Sequence, residues 1–165
     1  MNPPFAVRKI GHAVIFVSDI ERSKRFYTGL LGFKVLEEDP NHGGVFLSLG
    51  EDSHCLDLQP SSDPDAGRTP PLWRSRAGLG LGHIAFTVAD RAALAAAYFT
   101  LVDAGVEIVA ALDHVSQQSV YFRDPDGNIL ECYWERPDAL EIFRRGRADA
   151  DTPLTFERAP SPANA

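Results

Sequence analysis

Two stretches of the chain repeat one alternation of apolar and polar positions. Ile10-Gly11-His12-Ala13-Val14-Ile15-Phe16-Val17-Ser18-Asp19 matches Leu81-Gly82-His83-Ile84-Ala85-Phe86-Thr87-Val88-Ala89-Asp90 at an offset of 71 residues, and the same offset pairs Tyr27 with Tyr98. Each copy reads as a β-strand followed by an Asp that can accept the orphan N–H groups of a helix start. The predicted helix in the first copy places Ile20, Tyr27, Leu30 and Leu31 on one face, with Gly32 supplying the left-handed end. In the second copy Leu94, Tyr98 and Leu101 do the same, and Gly105 ends the helix. Three strand candidates follow each helix, at 33–37, 44–49 and 54–59 and then at 106–110, 119–122 and 129–134. The order β-α-β-β-β therefore occurs twice, which predicts an α+β fold of two βαβββ modules.

The boundaries follow from this pattern: a first module at 8–60, a connecting loop at 61–80, a second module at 81–137, and a C-terminal helix with a mobile tail at 138–165. The loop is rich in Pro, Gly, Ser and Asp and is long for a passive connector, so it is a candidate cover for a cleft, with Trp73 as an anchor or a surface-packed side chain. Asp124-Pro125-Asp126-Gly127-Asn128 forms a turn whose Pro and Gly preset the backbone, and it sets the register of Glu131. A short helix is expected over Ala139–Arg145.

With 165 residues, 44% of them hydrophobic, the chain can bury a sizeable core as one domain or two small modules. A net charge of −7 without a stripe of Lys and Arg argues against nucleic acid and against an anionic membrane surface. No apolar run approaches a membrane span, and the N-terminal residues do not resemble a secretory leader, so a cytoplasmic protein is expected. Two cysteines, Cys55 and Cys132, fall in strand-like runs and read as buried, reduced thiols.

Alternation puts His12 on the face of Val14 and Phe16, and His83 on the corresponding face with Ala85 and Thr87. If a pseudo-twofold axis relates the modules, these two imidazoles converge. Glu131 sits between Ile129 and Tyr133 on its own face, where a carboxylate is costly unless it is paired or bound to a cation. One strand histidine alone is more often a hydrogen-bonded structural residue, and one Glu near a turn is more often solvated. The conjunction of a repeated His pair with that Glu is what points to a metal: two imidazoles and a carboxylate make a facial triad with open positions.

On these residues the chain resembles the vicinal oxygen chelate superfamily over roughly residues 8 to 137. The most specific stretch is Ser119-Val120-Tyr121-Phe122-Arg123-Asp124-Pro125-Asp126-Gly127-Asn128-Ile129-Leu130-Glu131, supported by the two Gly-His strand openings. The resemblance implies two βαβββ modules forming an open, U-shaped mixed sheet around a metal cleft, with His12, His83 and Glu131 at the ligand positions. Asp113-His114 and Ser119-Val120-Tyr121 are most similar to small proteins of the catechol 2,3-dioxygenase type. That likeness implies an extradiol ring-cleavage dioxygenase using Fe(II) and dioxygen on a catecholic substrate. Tyr121 would bond the substrate oxygen, His114 would support it, and His54, in Ser53-His54-Cys55-Leu56-Asp57-Leu58, would be the acid–base histidine. His42, beside Gly43 and Gly44, reads as a turn residue.

Two other readings stay open. A glyoxalase-like isomerase or lyase would use Zn(II) or Ni(II) with a fourth ligand, for which Asp57 is the candidate because it occupies nearly the position of Glu131 in the first copy. Glutathione-dependent transfer fits less well, since only scattered arginines such as Arg68, Arg74 and Arg76 could meet the thiol's carboxylates. A metal-free, bleomycin-sequestering module would not need the triad. Mn(II) also suits the His and Glu ligands. Exposed strand edges favour a homodimer, with modules pairing within one chain or between two.

Overall fold

The repeat in the sequence is a repeat in the backbone. The first copy runs β1 (Ala13–Val17), α1 (Ile20–Gly29), β2 (Lys34–Glu38), β3 (Val45–Ser48) and β4 (Leu56–Pro60). The second runs β5 (Ile84–Thr87), α2 (Arg91–Asp103), β6 (Ile108–Asp113), β7 (Gln117–Arg123) and β8 (Ile129–Glu135), followed by α3 (Ala139–Arg145) and the two-residue β9 (Thr152–Pro153). This computed structural model describes residues 7–51, 53–65, 80–146 and 151–158, in two compact units, Met1–Gly67 and Arg68–Ala165. Trp73 and Arg68, Arg74 and Arg76 lie outside the described residues. Among those described, no helix is long and apolar enough to cross a membrane.

In the first unit the strands lie in the order β1-β4-β3-β2, with β1 and β4 parallel and the other pairs antiparallel. Ile15 and Val17 on β1, and Leu56 and Leu58 on β4, are buried, whereas Val14 and Phe16 between them are exposed. One face of the sheet therefore carries the core. Helix α1 packs against β4 and buries Ser23, Phe26 and Tyr27; the Tyr27 ring meets Phe33 edge-on at 5.9 Å. Its start is capped by Asp19, which accepts from the Arg22 N–H at 2.9 Å, and Gly32 past its end has φ +76°, a conformation that penalises a Cβ.

The second unit repeats the plan in the order β5-β8-β7-β6-β9, with β5 and β8 parallel. Helix α2 packs on β7 and β8, burying Leu94 and Leu101, and Val120, Phe122 and Leu130 are also fully withdrawn from solvent. Truncating a side chain such as Leu130 to Ala would cost about 2–5 kcal/mol by transfer and cavity formation. Asp90 caps α2 through the Ala93 N–H at 2.7 Å, as Asp19 caps α1. The strand ends lie within three residues of the expected bounds, and β6 and β7 are longer than expected because they pair with each other in an antiparallel ladder. Where a mobile tail was expected, residues 151–158 lie against this unit, and β9 pairs with β6.

Candidate metal and proton-transfer site

In each unit the face of the sheet away from the helix carries the chemistry. His12 immediately precedes β1, and Asp57 on β4 is paired in register with Val14. The His12 Nε2 lies 3.8 Å from the Asp57 Oδ2, and the His54 Nε2 lies 3.7 Å from the same oxygen. The two imidazole centroids are 4.5 Å apart. His54 thus sits just ahead of β4 rather than inside it, where the chain can bring its ring beside His12. The ligand atoms of His12, His54 and Asp57 all fall within 4.8 Å of one another, a group that could hold a metal ion.

Asp57 strengthens that reading. It is buried, and its Oδ1 has no hydrogen-bond partner among the described residues. A buried carboxylate oxygen left unpaired costs roughly 1–3 kcal/mol or more, a cost that a bound cation would offset. A divalent ion with ligand bonds of about 2.1 Å requires neighbouring ligand atoms roughly 3 Å apart, so the two imidazoles and the carboxylate need only small side-chain rotations to close on one.

In the second unit His83 immediately precedes β5, and Glu131 on β8 pairs in register with Ala85. The His83 Nε2 and the Glu131 Oε2 are 2.9 Å apart, already the spacing of adjacent ligands. Glu131 is only 2% exposed. Its other oxygen accepts from the Gln117 side-chain amide at 3.1 Å. Burial pushes the Glu131 carboxyl up, but hydrogen bonds from His83, Ser119 and Tyr121 outweigh it and hold the group below its ordinary range. It is therefore an anion at neutral pH, as a ligand must be.

Tyr121 is paired in register with Glu131 on the neighbouring strand, and its ring stands edge-on to His83 at 5.5 Å. Burial, and secondarily the negative charge of Glu131, push its hydroxyl far above the usual phenol range. The His114 Nε2 lies 2.9 Å from the Tyr121 Oη, and the His114 Nδ1 lies 2.7 Å from the Asp151 Oδ1. His114 is buried in the tight connection between β6 and β7, where the following Val115 has φ +70°. The turn expected before Glu131 is built on Asp124, whose carboxylate accepts from the N–H groups of Asp126 and Asn128 and from the Asn128 side chain.

His12, His54 and Asp57 thus come together in one unit, and His83, Glu131, Tyr121 and His114 in the other. His42 contacts Asp39 at 2.8 Å in an exposed turn. Cys132 is buried beside Glu131, and burial first, then that carboxylate, pushes its thiol up to about 11. Gln117, Ser119 and Asp151 were not singled out from the sequence. The first two alternate with Tyr121 along β7, a period-two signal that could have placed them on the Glu131 face. Asp151 carries no such signal, since it lies in a charged, low-complexity tail.

A model of the Glyoxalase/Bleomycin resistance protein/Dioxygenase superfamily matches residues 9–132. The chain is 33% identical over 128 residues to the catechol-2,3-dioxygenase of Bacillus subtilis (strain 168), covering 78% of this chain but 42% of that protein, so it spans less than half the relative's length. It is 29% identical over 149 residues to the metallothiol transferase FosB of Staphylococcus epidermidis, covering 86% of this chain and 94% of that one. In fold it resembles a crystal structure of a glyoxylase/bleomycin resistance protein/dioxygenase domain from Frankia sp. EAN1pec, with a TM-score of 0.63 and 24% identity over 79% of this chain and all of that one. Because the family match runs from the opening of the first βαβββ copy into the last strand of the second, past Glu131, the chain belongs to the glyoxalase/bleomycin resistance protein/dioxygenase superfamily, the vicinal oxygen chelate proteins.

Proposed function

We propose that the protein is an extradiol, catechol 2,3-dioxygenase-like enzyme that uses Fe(II) and dioxygen. In this reading His12, His83 and Glu131 are the metal ligands, Asp57 is a candidate fourth, and His54, His114 and Tyr121 handle protons. The observation that supports it best is the Tyr121–His114 hydrogen bond of 2.9 Å set beside the His83–Glu131 pair on one sheet face. A catecholic substrate must lose protons as it binds and regain one as the ring opens, and a phenol coupled to an imidazole can relay them. When bound, the metal would supply Lewis acidity and, as Fe(II), the electron chemistry of dioxygen.

The residues themselves would do the rest. Tyr121 would orient the substrate oxygen and pass its proton to the His114 Nε2. His54 would take or give a proton. Gln117 and Ser119 would hold the Glu131 carboxylate in one orientation, as outer partners of metal ligands do. A cytoplasmic location and a small-molecule substrate complete the reading, and the edge positions of β1 and β5 in their sheets support a homodimer.

Asp57 favours a second reading. Its register with Val14 mirrors that of Glu131 with Ala85, so a four-ligand site running an isomerase or lyase reaction on Zn(II) or Ni(II) is the alternative. The deciding experiment is anaerobic loading with Fe(II), followed by catechols and air, with oxygen uptake and ring-fission absorbance recorded together. Uptake with the coloured product supports the dioxygenase. A loaded chain without uptake rejects it in favour of the isomerase or lyase, and a chain that takes up no metal points to a binding module of the bleomycin-sequestering kind.

A further inference from the structure

The C-terminal residues 151–158 make a series of contacts that end at the proton-handling pair. β9 joins the edge of the second sheet, pairing Thr152 with Asp113 and Pro153 with Leu112, and the Leu154 N–H donates to the Ala111 carbonyl at 2.9 Å. Phe156 stacks on Tyr98 of α2 with centroids 4.7 Å apart. Arg158 lies over the Phe99 ring at 4.5 Å and forms a two-point ion pair with Asp103. The segment is therefore tied to the sheet edge at one end and to α2 at the other. Asp151 is the residue just before the pairing strand, and its carboxylate is 13% exposed.

We propose that Asp151 is a positioning residue for the site: it fixes the His114 proton on Nδ1 and so presents Nε2 to the Tyr121 hydroxyl as an acceptor. The argument is one of donor inventory. An ionised carboxylate only accepts hydrogen bonds, so the contact of 2.7 Å between the Asp151 Oδ1 and the His114 Nδ1 requires the proton on Nδ1. In the neutral ring Nε2 is then a lone pair 2.9 Å from the Tyr121 Oη, so the single Tyr121 hydroxyl proton stands between two acceptors, this nitrogen and the Glu131 carboxylate. The His114 backbone is itself fixed, because its N–H donates to the Gln117 carbonyl and its carbonyl accepts from the Ser116 N–H, both at 2.8 Å. A free imidazole favours the opposite tautomer, with the proton on Nε2. Without Asp151 the ring would offer Tyr121 a second donor where the relay needs an acceptor.

The step this serves is a proton hand-over. The substrate O–H bond breaks as its proton joins the Tyr121 oxygen, the Tyr121 proton forms a new N–H bond at the His114 Nε2, and the imidazolium charge is balanced by the Asp151 carboxylate. This rests on the reading of Tyr121 and His114 as proton-handling residues. It adds to that pair a residue from the tail, beyond residues 9–132 of the family match.

The test is the ring nitrogen spectrum of His114 in the full, ¹⁵N-labelled chain at mildly alkaline pH. In the unsubstituted protein Nδ1 should be protonated and Nε2 bare. Asp151→Ala should move the ring toward the Nε2–H form, and Asp151→Asn, which keeps an acceptor without the charge, should restore much of the Nδ1–H form. Phe156→Ala combined with Arg158→Ala should shift the ring in the same direction by loosening the segment, which covers the case in which Asp151→Ala folds poorly. An unchanged tautomer in Asp151→Ala, or in the double variant if that one alone folds, overturns the inference. Absence of catechol turnover in the unsubstituted chain, with the tautomer still moving on substitution, would sink the dioxygenase reading alone.

Discussion

Asp57 and Glu131 occupy the same place in their two units: each lies across a parallel strand pair from the residue two positions after the unit's opening histidine, Val14 in one case and Ala85 in the other. Both are buried. Glu131 meets its histidine at 2.9 Å, whereas Asp57, one methylene shorter, stands 3.8 Å from His12 and is joined by His54. The repeat has kept a carboxylate at this position in both copies and changed its reach.

That difference predicts how metal binding responds to substitution. If His12, His83 and Glu131 act together, His12→Ala, His83→Ala and Glu131→Gln should each weaken metal binding by more than the roughly 10–100-fold that losing an outer partner costs. Asp57→Asn should weaken it less. Metal content after competition with a chelator reads this directly. Loss confined to His12→Ala, His54→Ala and Asp57→Asn would instead assign the metal to the first unit alone.

Tyr121→Phe should lower kcat by about 10²–10⁴-fold, the usual worth of a positioned proton-transfer group, with little change in KM. Steady-state oxygen uptake measures it. A variant with unchanged kcat would remove Tyr121 from the chemistry.

Val115 carries a β-branched side chain at φ +70°, where the Cβ crowds its own backbone, in the connection that holds His114. The strain is worth roughly 1–3 kcal/mol. Val115→Gly should therefore stabilise the fold by about 1 kcal/mol after the added chain entropy of glycine is deducted, as read from the urea midpoint. A lower midpoint would mean that the packing of Val115 outweighs the strain.

Asp124 is buried and accepts three hydrogen bonds within its own turn, from Asp126 N, Asn128 N and Asn128 Nδ2. Asp124→Ala should cost about 3 kcal/mol, since bonds to a charged acceptor contribute about 1.5–3 kcal/mol each and are not additive. Because this turn sets where β8 begins, metal affinity should fall as well. A destabilised variant with undiminished affinity would separate the turn from the site.

The ion pair at the end of the tail sets a pH dependence. The Arg158 hydrogen bond, only partly opposed by desolvation, holds the Asp103 carboxyl below its ordinary range. A carboxyl depressed in the folded state contributes stability above its unfolded value, about 3.9, and loses that contribution as pH falls through the folded value. Docking of residues 154–158 should therefore be constant near neutral pH and weaken below about pH 4 and at high salt. The ring-current shifts of the stacked Tyr98 and Phe156 report it, and shifts indifferent to both would leave the aromatic contacts as the whole anchor.

The sequence by itself determined the repeat, and with it most of the architecture. Alternation and the capping residues Asp19 and Asp90 depend on bonds between near neighbours, so they can be read along the chain. The Asp124 turn is equally local, so a turn that sets the register of Glu131 could be read from its residues, whereas the pairing of Glu131 with Tyr121 came from the strand ladder. Only the tertiary structure decided the company these residues keep. His54 joins His12 and Asp57 because the chain bends just before β4, and no periodicity records that bend. Gln117 and Ser119 reach Glu131 through strand pairing, and Asp151 reaches His114 across 37 residues of separation. Such contacts depend on which edges and faces meet when apolar surface is buried, and that choice is made by the whole chain at once.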